Sequence, residues 1–196
     1  MYLAKALAKG PTACPSCGFI LDDEPTACPR CGFSGEVAVR KFRFDPPELT
    51  AIIDAGQTLS ADEKARLEKS LKRLGKRLPQ VRFILCLVPL VPEIDLREFG
   101  FWLLNAGAMP EGDEAKSFGI LFLVDSKSKR LSVTVGYGLE PMVRDSEWEE
   151  ICRSLRPHFL RERYAEGMEE FVEETGKLLI ERALEYKREI AKGDRR

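Results

Sequence analysis

Phe118-Gly119-Ile120-Leu121-Phe122-Leu123-Val124, followed a short polar gap later by Leu131-Ser132-Val133-Thr134-Val135-Gly136-Tyr137-Gly138-Leu139-Glu140, decides the fold. The first run is apolar without a break and has the length of a strand covered on both faces. The second alternates, and the polar residues Ser126 to Lys129 between them predict a hairpin. Upstream, Phe83-Ile84-Leu85-Cys86-Leu87-Val88 is another continuous apolar run with prolines at Pro79, Pro89 and Pro92 around it, a second candidate for the middle of a sheet.

Helices fill the spaces between these runs. Ser60-Ala61-Asp62-Glu63 has the capping-box spacing, so a helix begins there. Leu67, Leu71, Leu74 and Leu78 then recur at helical intervals on a core-facing stripe until Pro79 ends it. A further helix is expected from Leu96 to Asn105, before the acidic loop Glu111-Gly112-Asp113-Glu114. Downstream, Trp148, Ile151, Cys152 and Leu155 mark one apolar face, which Pro157 is expected to interrupt; Met168, Phe171, Val172, Thr175 and Leu179 mark another. The alternation predicts an α/β domain over residues 48–192, with a small central β-sheet flanked by helices.

Two segments precede it. Val37, Val39, Phe42 and Phe44 stand among charges in a mostly alternating pattern, predicting a short strand and linker over 37–47 that ends at Asp45-Pro46-Pro47. Residues 1–36 are too poor in periodic apolar positions to bury a core and need a staple. Cys14-Pro15-Ser16-Cys17-Gly18 and Cys28-Pro29-Arg30-Cys31-Gly32 supply it. In each, proline presets the turn and glycine permits the left-handed backbone after the second cysteine. Cys14, Cys17, Cys28 and Cys31 therefore predict one structural zinc ion (Zn²⁺) in a small zinc ribbon, a separate module whose four thiolates close the coordination sphere against catalysis. A redox role is disfavoured, because neither pair opens a helix of a thioredoxin-like unit. Cys86 and Cys152 lie alone in apolar surroundings and are expected as core residues.

Composition narrows the function. Acidic and basic residues nearly cancel, with a formal net charge of -1, so no global field favours nucleic acid or anionic lipid. The apolar window Val81 to Val91 falls short of the roughly 20 residues a bilayer span needs. Met1 to Gly10 lack a secretory hydrophobic stretch, which predicts a cytoplasmic protein. No Gly-x-x-x-x-Gly-Lys phosphate loop occurs, and Gly136-Tyr137-Gly138 by itself also fits a tight strand exit. Asp125 ends one strand while Glu140 and Asp145 flank the glycine turn, so three carboxylates can converge at one edge of the sheet, an oxygen set suited to Ca²⁺ or Mg²⁺. His158 is the only histidine and is expected at a surface or helix end; Arg144, Arg153, Arg156, Arg161 and Arg163 are expected as a solvated face.

From Gly119 to Leu179 the order of motifs resembles the TPM domain, a family with thylakoid-lumen, photosystem II repair and modulator members. The resemblance rests on Gly119-Ile120-Leu121-Phe122-Leu123-Val124, Gly136-Tyr137-Gly138-Leu139-Glu140, Asp145, Pro157-His158-Phe159, Tyr164 and Gly167, and it extends more faintly back to Ile53. It implies a TPM-like α/β domain, and a divalent-cation site with acid phosphatase activity in some relatives. The chain departs where relatives carry Asp-Asn before the strand glycine, having Ser117-Phe118, and where they carry Gly-Asp before the later tyrosine, having Glu162-Arg163. The expected function is a non-catalytic binding or regulatory module that docks to another protein through its zinc ribbon. Alternatives are a divalent-metal-dependent phosphatase built on Asp125, Glu140 and Asp145, with Gly136, Tyr137 and Gly138 at its edge, and, least favoured, a nucleic-acid-associated ribbon protein.

Overall fold

The computed structural model describes residues 12–21 and 26–193. The stretch Met1–Gly10, expected to lack a leader, lies outside them. A two-stranded antiparallel ribbon, β1 (Thr12–Ala13) and β2 (Ile20–Leu21), is followed by α1 (Gly35–Lys41), β3 (Ile52–Asp54), α2 (Ala61–Gly75), β4 (Arg82–Val88) and α3 (Leu96–Ala106). A 3-10 segment (Asp113–Phe118) leads into β5 (Gly119–Asp125) and β6 (Leu131–Val135). A second 3-10 turn (Glu140–Met142) precedes α4 (Asp145–Leu160) and α5 (Tyr164–Gly193).

The sheet order is β3-β4-β5-β6, parallel across the first three strands and antiparallel at the last pair. Both continuous apolar runs are central strands, as their pattern predicts, and each sends alternate side chains to two different cores. Leu85, Leu87, Ile120, Phe122 and Val124 pack against α2, α4 and α5. Ile84, Cys86, Leu121 and Leu123 pack against α3, α1 and the ribbon. The crossovers β3-α2-β4 and β4-α3-β5 step the same way across the sheet, yet their helices lie on opposite faces. They therefore have opposite hands, and one departs from the usual right-handed rule.

Several local expectations hold. Ser60 Oγ accepts from Glu63 N at 3.3 Å and Glu63 Oε2 accepts from Ser60 N at 2.8 Å, closing the capping box. Leu67, Leu74 and Leu78 are buried. Close approach explains two helical glycines: a Cβ at Gly167 would meet Phe159 Cζ at 2.6 Å where α4 meets α5, and one at Gly176 would meet Leu74 Cδ1 at 2.8 Å where α5 meets α2.

Three expectations are corrected. Residues 37–44 hold no strand: Ser34 Oγ caps α1 by accepting from Val37 N at 3.2 Å, and the buried pair is Ala38 and Phe42, four residues apart. That spacing is a helical stripe, whereas Val39 and Phe44, counted in the alternating pattern, are exposed. Pro157 does not interrupt its helix, because α4 continues to Leu160; only the Arg153 carbonyl loses its partner, close to where the helix ends anyway. Finally, the ribbon is not packed apart from the rest, since Cys14, Cys28 and Phe33 belong to the same hydrophobic cluster as Phe99, Trp102 and Leu121.

Candidate functional site

The two cysteine turns are built alike. Gly18 N donates to Cys14 O and Gly32 N to Cys28 O, each at 2.8 Å, while Cys14 N donates to Phe19 O and Cys28 N to Phe33 O at the same distance. Gly18 and Gly32 stand at φ 70° and 74°, the left-handed conformation their position requires. The two turns bring Cys14, Cys17, Cys28 and Cys31 together with all four sulfurs within 4.8 Å of one another. Cys14 Sγ lies 3.8 Å from Cys31 Sγ, and Cys17 Sγ lies 3.8 Å from Cys28 Sγ. Four sulfurs on a tetrahedron at about 2.3 Å from its centre are about 3.8 Å apart, so the geometry is that of a thiolate metal site. Burial pushes the Cys14 thiol up to about 12. At Cys28 the effect of burial is outweighed by the amides of Cys31 and Arg30 and by its cysteine neighbours, which bring it down to about 7. A cation held by these four sulfurs would resolve this competition by displacing their protons.

The acidic edge is arranged differently from the expectation. Because β5 and β6 form a hairpin, Gly136 N donates to Gly119 O at 2.8 Å, at the start of β5, while Asp125 stands at its far end. Six strand steps separate the two ends, about 20 Å. Asp125 thus does not meet Glu140 and Asp145. Among the described residues the four cysteines form the only group of three or more potential ligands gathered at metal-binding distance.

Asp125 is wholly buried and its carboxylate is committed to its own turn and to the loop after β4. Oδ1 accepts from Leu90 N and Lys127 N, both at 3.1 Å, and Oδ2 accepts from the Arg130 guanidinium at 2.9 Å and from the Ser128 hydroxyl. Burial pushes its pKa up, but Ser128, Arg130 and the two amides outweigh that and hold the carboxyl below the usual range. Asp54, at the end of β3, does the same for Thr58 N, Leu59 N and Lys64.

At the opposite end, Gly136 and Gly138 are buried and Tyr137 is exposed. Neither glycine is needed for a left-handed turn; both are needed for closeness. A Cβ at Gly136 would stand 1.9 Å from Lys116 O, and one at Gly138 would stand 2.7 Å from Ser117 O. Ser117-Phe118 therefore form the floor beneath the turn. Glu140 is half-buried in the 3-10 turn, and exposed Asp145 opens α4. Glu162-Arg163, the other departure from the family pattern, lie far from here: Glu162 pairs with Lys129 Nζ at 2.8 Å, and Tyr164 Oη donates to Ser126 O at 3.2 Å, all beside the hairpin at the Asp125 end. Glu162 takes φ 57°, a conformation that suits the glycine of the family pattern. The two departures do not belong to one site.

His158 is half-buried between α4 and α5, with Nε2 2.8 Å from Glu170 Oε2. Arg144, Arg153, Arg156, Arg161 and Arg163 are exposed, as a solvated face requires. Cys86 is fully buried, and burial pushes its thiol up to about 12; at Cys152 burial and then Glu149 push it up to about 11, so both behave as core residues.

Sequence reasoning missed the aromatic packing between α1 and α3. Phe42 lies 5.4 Å from both Phe99 and Trp102, and Phe33 lies 5.5 Å from Phe101, measured between ring centroids. The available signal was α3 itself, whose Phe99-Gly100-Phe101-Trp102-Leu103-Leu104 is apolar all round and so needs cover on both sides.

The fold and site define an α/β/α domain with a four-cysteine ribbon, arranged as a metal site would be, packed on one face. A family model described as the TPM domain, and named TPM phosphatase, matches residues 52–178, and the chain belongs to this family. Solved structures share the fold. The N-terminal domain of a protein from P. gingivalis is 20% identical with a TM-score of 0.56, covering 75% of this chain and 91% of that one. The BA42 protein of the psychrophilic bacterium Bizionia argentinensis is 16% identical with a TM-score of 0.53, covering 66% and 86%. No curated protein matches. Among the described residues no helix is long and apolar enough to cross a membrane.

Proposed function

We propose that this chain is a zinc-stapled TPM domain that works as a binding or regulatory module and not as a phosphatase. One observation carries the reading: the carboxylates that a catalytic cation would need are divided between opposite ends of β5, and Asp125 is already consumed by three donors of its own turn and by Leu90 N beyond β4. Zinc suits the ribbon because four thiolates in a tetrahedron select it over hard cations and leave no position for water or substrate. Docking to another protein through the ribbon is supported by the exposed apolar side chains of Phe19 and Ile20 beside the first cysteine turn.

The second reading, a divalent-metal-dependent phosphatase, is favoured by the family's name and by Glu140 and Asp145 following Tyr137 closely in the chain, in the turn and helix start after β6. Hydrolysis of p-nitrophenyl phosphate in added Mg²⁺ or Ca²⁺ separates the two. The module reading expects negligible turnover that is unchanged in a Glu140→Gln, Asp145→Asn double variant. Robust turnover abolished in a folded double variant establishes the phosphatase.

A further inference from the structure

The outer face of α3 is an apolar surface that the sheet beneath it does not cover. Gly100 meets Thr134 and Leu121 of the sheet beneath. Phe99, Phe101 and Trp102 turn the other way, toward Phe33, Phe42 and Phe44. Phe99 and Trp102 are nevertheless buried, at 5% and 2% exposure, and the rings against them are Phe42, which ends α1, and Phe44 just after it.

That cover has little support of its own. α1 has seven residues, too few to hold a helix in water without help. Its start is set by the second cysteine turn: Cys28 N holds Phe33 O at 2.8 Å, and Ser34, the next residue, caps α1. The first turn supplies another tether, since Arg97 Nη2 donates to Ser16 O at 3.3 Å. A third is the ion pair between Lys41 of α1 and Glu98 of α3. A shared cation would join the two turns firmly, because four unshielded thiolates within 4.8 Å repel and protonated thiols have only weak S–H···S contacts to hold them.

We propose that the metal locks this cover: with the ion bound, Phe33 and Phe42 keep Phe99, Phe101 and Trp102 out of water, and removal of the ion uncovers the outer face of α3 while the opposite face of the sheet stays folded. The inference rests on the metal site proposed for the four cysteines. It makes the ribbon a metal-dependent switch on the surface that the domain presents, in addition to an attachment for partners.

Hydrogen–deuterium exchange of the full chain tests it, under reducing conditions, before and after stripping by a chelator, with metal content measured in the same samples. Peptides covering 35–44 and 96–106 are expected to exchange roughly tenfold faster or more after stripping, with recovery on adding Zn²⁺, while peptides covering 164–180 change less than about twofold. Phe42→Ala, which leaves the sulfurs alone, is expected to keep full metal content and still speed exchange in 96–106. Protein that loses its metal with no change in 96–106, or with equal loss over 164–180, overturns the lock. Protein that never holds metal overturns the zinc reading and the lock together.

Discussion

Gly136→Ala tests the account of the strand exit at its tightest point. The new methyl would stand 1.9 Å from Lys116 O and 2.7 Å from both the carbonyl carbon and oxygen of Ser117, all backbone atoms that no side-chain rotation can move aside. Either the 3-10 segment or the end of β6 must shift by more than an ångström. Overpacking of this kind costs about 1–3 kcal/mol. Three hydrogen bonds hold the same place: Gly136 N to Gly119 O at 2.8 Å, Gly138 N to Ser117 O at 2.8 Å, and Leu139 N to Gly136 O at 2.9 Å. Losing one or two of them adds about 1 kcal/mol each. A total near 3 kcal/mol lowers the melting temperature of a chain this size by about 6–12 °C. Gly75→Ala is the comparison: nothing lies within 4 Å of its added methyl, and it sits at the end of α2, so it is expected to be neutral or slightly stabilising. Thermal unfolding followed by circular dichroism reads both. A Gly136→Ala variant that melts within about 2 °C of the parent refutes the argument that this glycine is there for close approach.

Asp125→Ala is expected to destabilise by roughly 3 kcal/mol, because it strands two buried amides and the Arg130 guanidinium; chemical denaturation measures this, and a loss below about 1 kcal/mol would contradict the assignment. The pKa values of Asp125 and Asp54 are held below the ordinary carboxylate value, so their contribution is complete above the unfolded pKa of about 4 and is lost as pH falls through the lower folded values. Urea midpoints should therefore fall steeply below about pH 4, and less so in Asp125→Asn, which has no such charge to lose. Pro157→Ala restores a backbone donor inside α4 and is expected to raise stability by about 1 kcal/mol, measured by the same unfolding; a clear loss would mean that the proline's stiffness matters more than the missing bond.

The sheet was legible because burial on both faces leaves a clear trace: Phe83–Val88 and Gly119–Val124 are apolar at every position and rich in the branched residues that suit strands, whereas the equally long apolar run Phe99–Leu104 lies within a helix. The capping box and the cysteine turns were legible because their chemistry is local, fixed within a few residues. What escaped was set by partners distant in sequence. Three residues, Ile52–Asp54, are too short to announce a strand and become one by pairing with Leu85–Leu87. Val37–Phe44 alternates loosely, and only the aromatic face of α3 selects Ala38 and Phe42 as the buried pair and so decides for a helix. The carboxylate edge was misjudged for a geometric reason already contained in the sequence. A hairpin predicted at Ser126–Lys129 returns β6 to the start of β5, and so carries Gly136 away from Asp125.

The central claim, that one zinc ion on Cys14, Cys17, Cys28 and Cys31 staples the ribbon onto a TPM domain, is tested most directly by metal analysis joined to X-ray absorption on protein purified without chelators. The account predicts about one zinc per chain with a pure sulfur shell of four ligands near 2.3 Å, lost in Cys17→Ser or Cys31→Ser. Less than about half an equivalent of metal, an iron edge in place of zinc, or a shell containing light oxygen ligands would contradict it.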